Sequence, residues 1–215
     1  MIKAVLWDLD GTVLDSRPGV FASATYALNT LKLPVPPDEE LIEFLGPPID
    51  IGFSKVCSVP QEAVEEAIRL YREYYTGGGM LEAVIYDGIA DVIQLLRAKG
   101  IDSYITTSKP QVYANRILKH FGIDTLFTGI YGAELNGDRA HKAEVLWYCM
   151  QQHSLSREET VLIGDRRFDV LGAREVGIPC IGILYGYGSR EELTIAGATA
   201  IAATPADVLS ALNID

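Results

Sequence analysis

The N-terminal segment reads Ile2-Lys3-Ala4-Val5-Leu6-Trp7-Asp8-Leu9-Asp10-Gly11-Thr12, a short apolar run followed directly by two acidic residues, a glycine and a threonine. The apolar run predicts a buried strand, and the glycine permits a sharp turn at its end. Residues two apart in an extended segment point the same way, so we expect Asp8 and Asp10 to face one crevice. Two close carboxylates need a cation or a shared proton. The segment therefore predicts a metal-dependent site where a strand ends.

Three later segments also carry candidate site residues. In two of them an apolar run ends in polar residues, and in the third a charged residue begins a predicted helix. Residues 101–107 read as a strand ending in hydroxyls, with Pro110 suited to the first turn of the next helix. Lys142 opens an apolar-periodic stretch, and residues 160–164 run into Asp165, with Asp169 four residues later. Strand ends in an open α/β sheet are where ligands bind.

In these motifs the chain resembles the haloacid dehalogenase superfamily, and within it the small phosphatases similar to phosphoglycolate phosphatase. The resemblance covers nearly the whole chain, and its four motifs occur in the family's order: Asp8, Asp10 and Thr12; Thr107; Lys142; Asp165 and Asp169. Ser108 stands where the family often has asparagine, which preserves a hydrogen-bonding group. Each motif alone is weak, but the ordered set is specific.

The element pattern indicates an α/β fold, a doubly wound, Rossmann-like parallel sheet with a small all-helical insert. Between the first motif and Tyr86 we identify only helical stretches, near 17–33, 37–45, 48–57 and 60–76. From there on helices and short apolar strands alternate, which implies βαβ units. We therefore predict a catalytic core of residues 1–15 and 83–215 and a helical cap of residues 16–82, the insert that the resemblance describes as a cap.

The residue types suit phosphoryl transfer. Asp8 is a candidate carboxylate nucleophile, because an acyl-phosphate divides one difficult displacement into two easier ones. Asp8, Asp165 and the backbone carbonyl of Asp10 would provide oxygen ligands for Mg²⁺, and the resemblance assigns them this role. The side chain of Asp10 is then left for acid and base catalysis. The expected cofactor is Mg²⁺.

Other residues are expected to bind the transferred phosphate or to support the ligands. Thr107 and Ser108 can donate to phosphate oxygens, and Lys142 can neutralise them while restraining Asp8. Thr12 either caps local backbone or, as the resemblance implies, supports the nucleophile loop. Asp169 either favours a helix N-terminus or acts as a supporting or metal-site acid.

Charged residues beside the motifs are expected to be solvated, so Lys109, Arg166 and Arg167 are left out of the predicted catalytic set. Substrate selection is expected from the predicted cap. Its turn Gly46-Pro47-Pro48 is the one segment that resembles a family specificity loop, although a plain interhelical turn would look the same.

Composition excludes several classes of partner. The formal net charge is −11, and no cluster of Lys and Arg is evident, which argues against nucleic acid polymers and anionic membranes. Cys57, Cys149 and Cys180 form no metal or disulfide pattern and are expected to be buried free thiols. The apolar start is too short for a signal segment or a membrane span, so we expect a cytoplasmic protein, either monomer or homodimer.

Alternative functions remain at this stage. A receiver-like phospho-acceptor domain also gathers acids, a hydroxyl and a lysine on a parallel sheet, but it lacks a helical insert and an acid placed like Asp10. A dehalogenase would need neither Asp10 nor a metal. A phosphomutase would use the same catalytic set and is the main alternative; a pyrophosphatase is also compatible. The expected substrate is a small soluble phosphate monoester, either phosphoglycolate-like or a nucleoside monophosphate.

Overall fold

The computed structural model describes residues 1–214 of the chain, and its centre is a six-stranded parallel sheet. The strands, in chain order, are β1 (Ala4–Trp7), β4 (Asp102–Pro110), β5 (Gly129–Ala133), β6 (Thr160–Gly164), β7 (Cys180–Ile183) and β8 (Ala200–Ala202). They lie in the order β5-β4-β1-β6-β7-β8. This is the order of a doubly wound sheet, so the predicted fold class is confirmed.

β1 lies at the centre of the sheet and has partners on both sides. Trp7 is in register with Ile105 of β4 and with Ile163 of β6, so the carboxyl ends of these strands share one edge. The strand order reverses between β1 and β6. That reversal creates the crevice in which open α/β sheets bind ligands, immediately after β1.

Six helices of the described chain accompany the strands of the parallel sheet. They are α5 (Ile89–Ala98), α6 (Gln111–His120), α7 (Lys142–Gln152), α8 (Arg167–Val176), α9 (Arg190–Ala196) and α10 (Asp207–Ala211). Leu6 and Leu162 of the sheet pack in one buried cluster with Leu146 of α7 and Val170 of α8. This apolar face fixes the beginnings of α7 and α8 at the edge of the sheet where β1 ends, because the helices must bury their apolar stripes there.

The chain divides into two compact units, one of Met1–Leu14 with the described residues from Ile85 onward, the other Asp15–Val84. The second unit contains α1 (Arg17–Thr30), α2 (Asp38–Leu41), α3 (Ile49–Ile51) and α4 (Val64–Gly77), with short 3-10 and π-helical turns between them. Within it, α1 packs on α4, with the rings of Tyr26 and Tyr74 5.4 Å apart. The prediction that residues 16–82 act as a cap stays a prediction.

The region between the first motif and Tyr86 differs from the sequence prediction in two respects. Two short strands, β2 (Leu14–Asp15) and β3 (Val84–Ile85), pair with each other where only helices had been predicted. The predicted helix 48–57 is three α-helical residues followed by a π-helical turn, Gly52–Val56. Strands of two residues carry too little alternation to be recognised from sequence, and a π turn has the same local composition as an α-helix.

The cysteines and the apolar character of the helices were both subjects of sequence expectations. Cys57, Cys149 and Cys180 are free and buried, as predicted, and burial raises the pKa of the Cys149 thiol to about 12. No helix in the described part of the chain has both the length and the apolar character needed to cross a membrane.

Candidate active site

The site begins with two carboxylates at the ends of neighbouring strands. Asp8 follows β1, and its backbone N–H donates to the carbonyl of Ile163 in β6, at 2.9 Å. Asp165 is the first residue after β6. Together with Asp169, in the first turn of α8, they form a buried cluster in which one oxygen from each carboxylate lies within 4.8 Å of the others. The sheet register therefore brings together the acids of two predicted motifs that are far apart in sequence.

Lys142 joins this cluster from α7, of which it is the first residue. Its ammonium donates to Asp8 Oδ1 and to the carbonyl oxygen of Thr106, the latter at 2.8 Å, and it lies 2.8 Å from Asp169 Oδ1. Gly172 of α8 makes room for it, because a Cβ there would lie 2.6 Å from the Lys142 side chain. The predicted third motif thus contacts both acidic motifs through one buried cation.

Asp169 contacts both the start of α8 and Lys142 of the acid cluster. Its Oδ2 accepts the backbone N–H of Arg166 at 3.0 Å, which satisfies one of the donors at the start of α8 that have no partner within the helix. Its Oδ1 faces Lys142. Gly164 allows this close packing, since a Cβ would lie 2.4 Å from Asp169.

Both carboxylate oxygens of Asp165 accept a hydrogen bond, one from a predicted site residue and one from a residue that was not predicted. The Thr12 hydroxyl donates to Asp165 Oδ1 at 3.3 Å, and the backbone N–H of Tyr187 donates to Oδ2 at 2.8 Å. Tyr187 was not predicted. The local signal was the glycine on each side of it, Gly186 and Gly188, but nothing in that pattern names Asp165 as the partner.

Asp10 has its own partner, which corrects one sequence expectation. Lys109 was expected to be solvated, but its side chain is 9% exposed and its ammonium lies 2.5 Å from Asp10 Oδ1. Thr107 is buried near the end of β4 and its hydroxyl accepts the backbone N–H of Lys109 at 3.1 Å. Thr107 lies two residues beyond Ile105, so it shares the edge at which Asp8 lies. Ser108, between them in sequence, is half-buried.

Arg166 corrects the same expectation. It is buried, and its guanidinium lies 2.9 Å from Glu192 Oε1 of α9, with which it forms an ion pair. Arg167 is 44% exposed at its side chain, in line with the expectation.

Gly46 and Pro47 belong to the second unit, in the turn before α3, where Gly46 has a positive φ of 109°.

Comparison with known proteins identifies the family. The model of the haloacid dehalogenase-like hydrolases matches residues 5–183. The chain belongs to this family. It is 39% identical over 189 residues to a 5'-nucleotidase of Pseudomonas aeruginosa, a match covering 88% of this chain and 86% of that protein. It is 35% identical over 214 residues to the tyrosine-protein kinase PtkA of Mycobacterium tuberculosis, covering 99% and 73%.

Solved structures agree with this assignment. A predicted phosphatase from Clostridium acetobutylicum superimposes with a TM-score of 0.94 at 36% identity, covering 99% of each chain. Sequence relatives also include the phosphoglycolate phosphatase of Colwellia psychrerythraea, which is 27% identical over 199 residues, a match covering 89% of this chain and 88% of that protein. The resemblance to the haloacid dehalogenase superfamily and its phosphatases is therefore confirmed, and the chain is a phosphatase of this family.

Burial has the largest effect on the pKa values of the acids in this site. Burial, countered by Lys142 and reinforced by the carboxylate of Asp169, raises the pKa of Asp8 to about 7. Burial and the carboxylates of Asp169 and Asp8 raise the pKa of Asp165 well above its usual range. Burial lowers the pKa of Lys142, but the same carboxylates outweigh it and raise that pKa above its usual value. The acids are therefore costly to ionise without added positive charge.

The donor set fits a hard divalent cation. The Lys142 ammonium contacts Asp8 and Asp169, the Lys109 ammonium contacts Asp10, and Asp165 lies beside Asp8 and Asp169. When all four carboxylates are ionised, they and the two ammonium groups carry a net charge of −2, which one divalent cation balances. All the candidate ligand atoms are oxygens, which Mg²⁺ prefers over nitrogen or sulfur.

Proposed function

We propose that this protein is a Mg²⁺-dependent phosphatase that hydrolyses a small soluble phosphate monoester through an aspartyl-phosphate on Asp8. The observation that carries the proposal is the buried contact of Lys142 with both Asp8 and Asp169, beside Asp165, at the switch point of the sheet. A nucleophilic carboxylate held by a lysine among acids that need a cation matches the demands of phosphoryl transfer.

Asp8, Asp165 and the backbone carbonyl of Asp10 would hold the Mg²⁺, which when bound neutralises charge on the phosphate. Thr12 and the Tyr187 N–H keep Asp165 oriented by donating to its two oxygens. Asp169 keeps Lys142 in place. Such supporting contacts restrict the rotamers of the ligands and so preserve their geometry.

In the first step an oxygen of the Asp8 carboxylate attacks phosphorus, the bond between phosphorus and the ester oxygen breaks, and the leaving alkoxide takes a proton from Asp10. In the second step a water molecule attacks the same phosphorus and gives its proton to Asp10. The bond between Asp8 and phosphorus breaks, which releases inorganic phosphate and restores the Asp8 carboxylate. Asp10 thus serves as acid and then as base.

Charge that develops on the phosphoryl oxygens requires donors that are already in position. The Thr107 hydroxyl, Ser108 and the Lys142 ammonium are assigned this task, because they lie at strand and helix ends beside Asp8. Preorganised donors in a buried site cost little reorganisation during the reaction.

The substrate class follows from the relatives as a proposal only. A 5'-nucleotidase and phosphoglycolate phosphatases are among the similar proteins, so a nucleoside monophosphate and phosphoglycolate are the first esters to test. Release of inorganic phosphate also distinguishes hydrolysis from phosphomutase activity.

The test combines kinetics with trapping of the intermediate. Asp8→Asn, and separately chelation of Mg²⁺, should abolish phosphate release from both esters, whereas Asp91→Asn, an exposed acid in α5, should behave as wild type. Borohydride reduces an acyl-phosphate, so mass spectrometry of the quenched wild-type enzyme should find the reduced residue at position 8. Full activity of Asp8→Asn, or a modification elsewhere, would contradict the mechanism.

A further inference from the structure

Lys109 is a largely buried lysine whose ammonium contacts the side chain to which the proposed function assigns proton transfer, Asp10. Its side chain is 9% exposed, that of Asp10 is 20% exposed, and the ammonium lies 2.5 Å from Asp10 Oδ1. Lysines are rarely buried unless they are paired, because the ammonium loses its hydration. The contact with Asp10 supplies this pairing, so the two side chains restrict each other's position.

The backbone at Lys109 departs from regular strand geometry and is fixed by local contacts. The pairing of β4 with β5 shifts register between Thr107 and Pro110, so Ser108 and Lys109 form an irregular segment at the end of the strand. The Lys109 N–H donates to the Thr107 hydroxyl at 3.1 Å, which fixes this segment locally. Gly132 of β5 permits it, since a Cβ there would lie 2.5 Å from the Lys109 carbonyl oxygen.

We propose that Lys109 is a positioning residue for Asp10: its ammonium holds Oδ1 and so directs Oδ2 to the oxygen of the leaving group. The inference rests on the function proposed above. Lys109 touches no reacting atom in this scheme. Its effect is to restrict Asp10 to the rotamer in which proton transfer is possible, and proton transfer requires hydrogen-bond distance to the acceptor.

This role predicts a dependence on the leaving group. An alkyl phosphate releases a strongly basic alkoxide and needs the proton from Asp10, whereas nitrophenyl phosphate releases a stable phenolate and does not. Loss of Lys109 should therefore slow the first class selectively. A lysine that only stabilised the fold, or only bound the phosphate, would affect both classes alike.

The experiment measures kcat/KM, which reports phosphoryl transfer to Asp8, for a series of phosphate monoesters from nitrophenyl to alkyl. Lys109→Gln should lower kcat/KM on alkyl phosphates by about 10- to 100-fold, part of the roughly 10²–10⁴ that a general acid contributes, and leave nitrophenyl phosphate nearly unchanged. Lys109→Arg should recover much of the loss. Lys3→Gln, which removes the surface ion pair with Glu159, is the matched control.

Two further measurements separate this role from general damage. Mg²⁺ affinity by calorimetry should be the same in Lys109→Gln and wild type. In an Asp10→Asn background, Lys109→Gln should cause no further loss of kcat/KM, and this double variant also avoids leaving the half-buried Asp10 carboxylate without its ammonium partner.

Equal losses on all esters, additive losses in the double variant, or no loss at all would overturn the positioning role while the proposed function stands. Absence of ester hydrolysis by the wild-type enzyme would overturn both.

Discussion

The carboxylates that the proposed activity needs in ionised form lie where ionisation destabilises the folded protein. Asp8 and Asp165 are buried beside Asp169, and the pKa values of both are raised by burial and by like charge. A carboxylate in such a place is harder to ionise than in the unfolded chain, so its ionisation opposes folding until a cation is bound. The site therefore costs stability in the metal-free protein.

This cost gives a pH dependence with a defined sign. The pKa of Asp8 is about 7 in the folded protein, against a reference value of 3.8, so the folded state binds the proton more tightly. The free energy of unfolding of the metal-free protein should consequently fall as pH rises from about 4 to about 7, through the contribution of Asp8. Urea denaturation in the presence of a chelator measures it, and Asp8→Asn should flatten this slope. A slope of the opposite sign in wild type, unaltered in Asp8→Asn, would contradict the assignment.

Asp10 is assigned to proton transfer and not to metal binding by its side chain. Asp10→Asn should keep Mg²⁺ affinity near that of wild type and slow turnover by about 10²- to 10⁴-fold, the usual contribution of one general acid or base. Calorimetry and steady-state kinetics give the two values. Lost Mg²⁺ binding with a normal rate at saturating Mg²⁺ would reverse the assignment.

At the scale of elements, the loop between β7 and α9 is packed against Asp165. A Cβ on Gly188 would lie 1.9 Å from the Asp165 carbonyl oxygen, and one on Gly186 would lie 2.3 Å from the Gly11 carbonyl oxygen. These close approaches let the Tyr187 N–H reach Asp165 Oδ2. The loop therefore contacts Asp165 through a backbone N–H, and we predict that it supports Mg²⁺ binding.

Gly188→Ala should displace this loop and weaken Mg²⁺ binding by about 10- to 100-fold, the usual effect of losing a contact that orients a metal ligand. Calorimetric titration with Mg²⁺ measures the change independently of activity. Gly77→Ala is the control, because a Cβ there has no atom within 4 Å. Unchanged Mg²⁺ affinity in a folded Gly188→Ala protein would remove the loop from the site.

At the scale of the whole molecule, the division of labour between the two units is a prediction about substrate choice. Every catalytic candidate lies outside Asp15–Val84, and this unit is inserted directly after the Asp8 motif. An insert at that position can select the leaving group without supplying chemistry, as lids do in other enzymes.

Pro47→Ala in the turn of the second unit should therefore redistribute kcat/KM among phosphate esters while hydrolysis of nitrophenyl phosphate stays largely intact. Pro60→Ala, an exposed proline before another short helix of the same unit, is the control. The kinetic profile over the ester panel gives the result. An equal loss on every ester would mean that the turn supports the fold and does not determine specificity.

The sequence by itself predicts the doubly wound fold, because strand and helix periodicity are local properties of the chain, and its ordered motifs, through the family resemblance, predict the principal site residues. Asp8, Asp165, Asp169 and Lys142 follow from it. Packing decides the partners: Lys109 pairs with Asp10 99 residues away, and Tyr187, after β7, donates to Asp165, after the neighbouring strand β6. A parallel sheet brings distant strand ends to one edge, and only the completed register and the close approaches at glycines select which groups meet there.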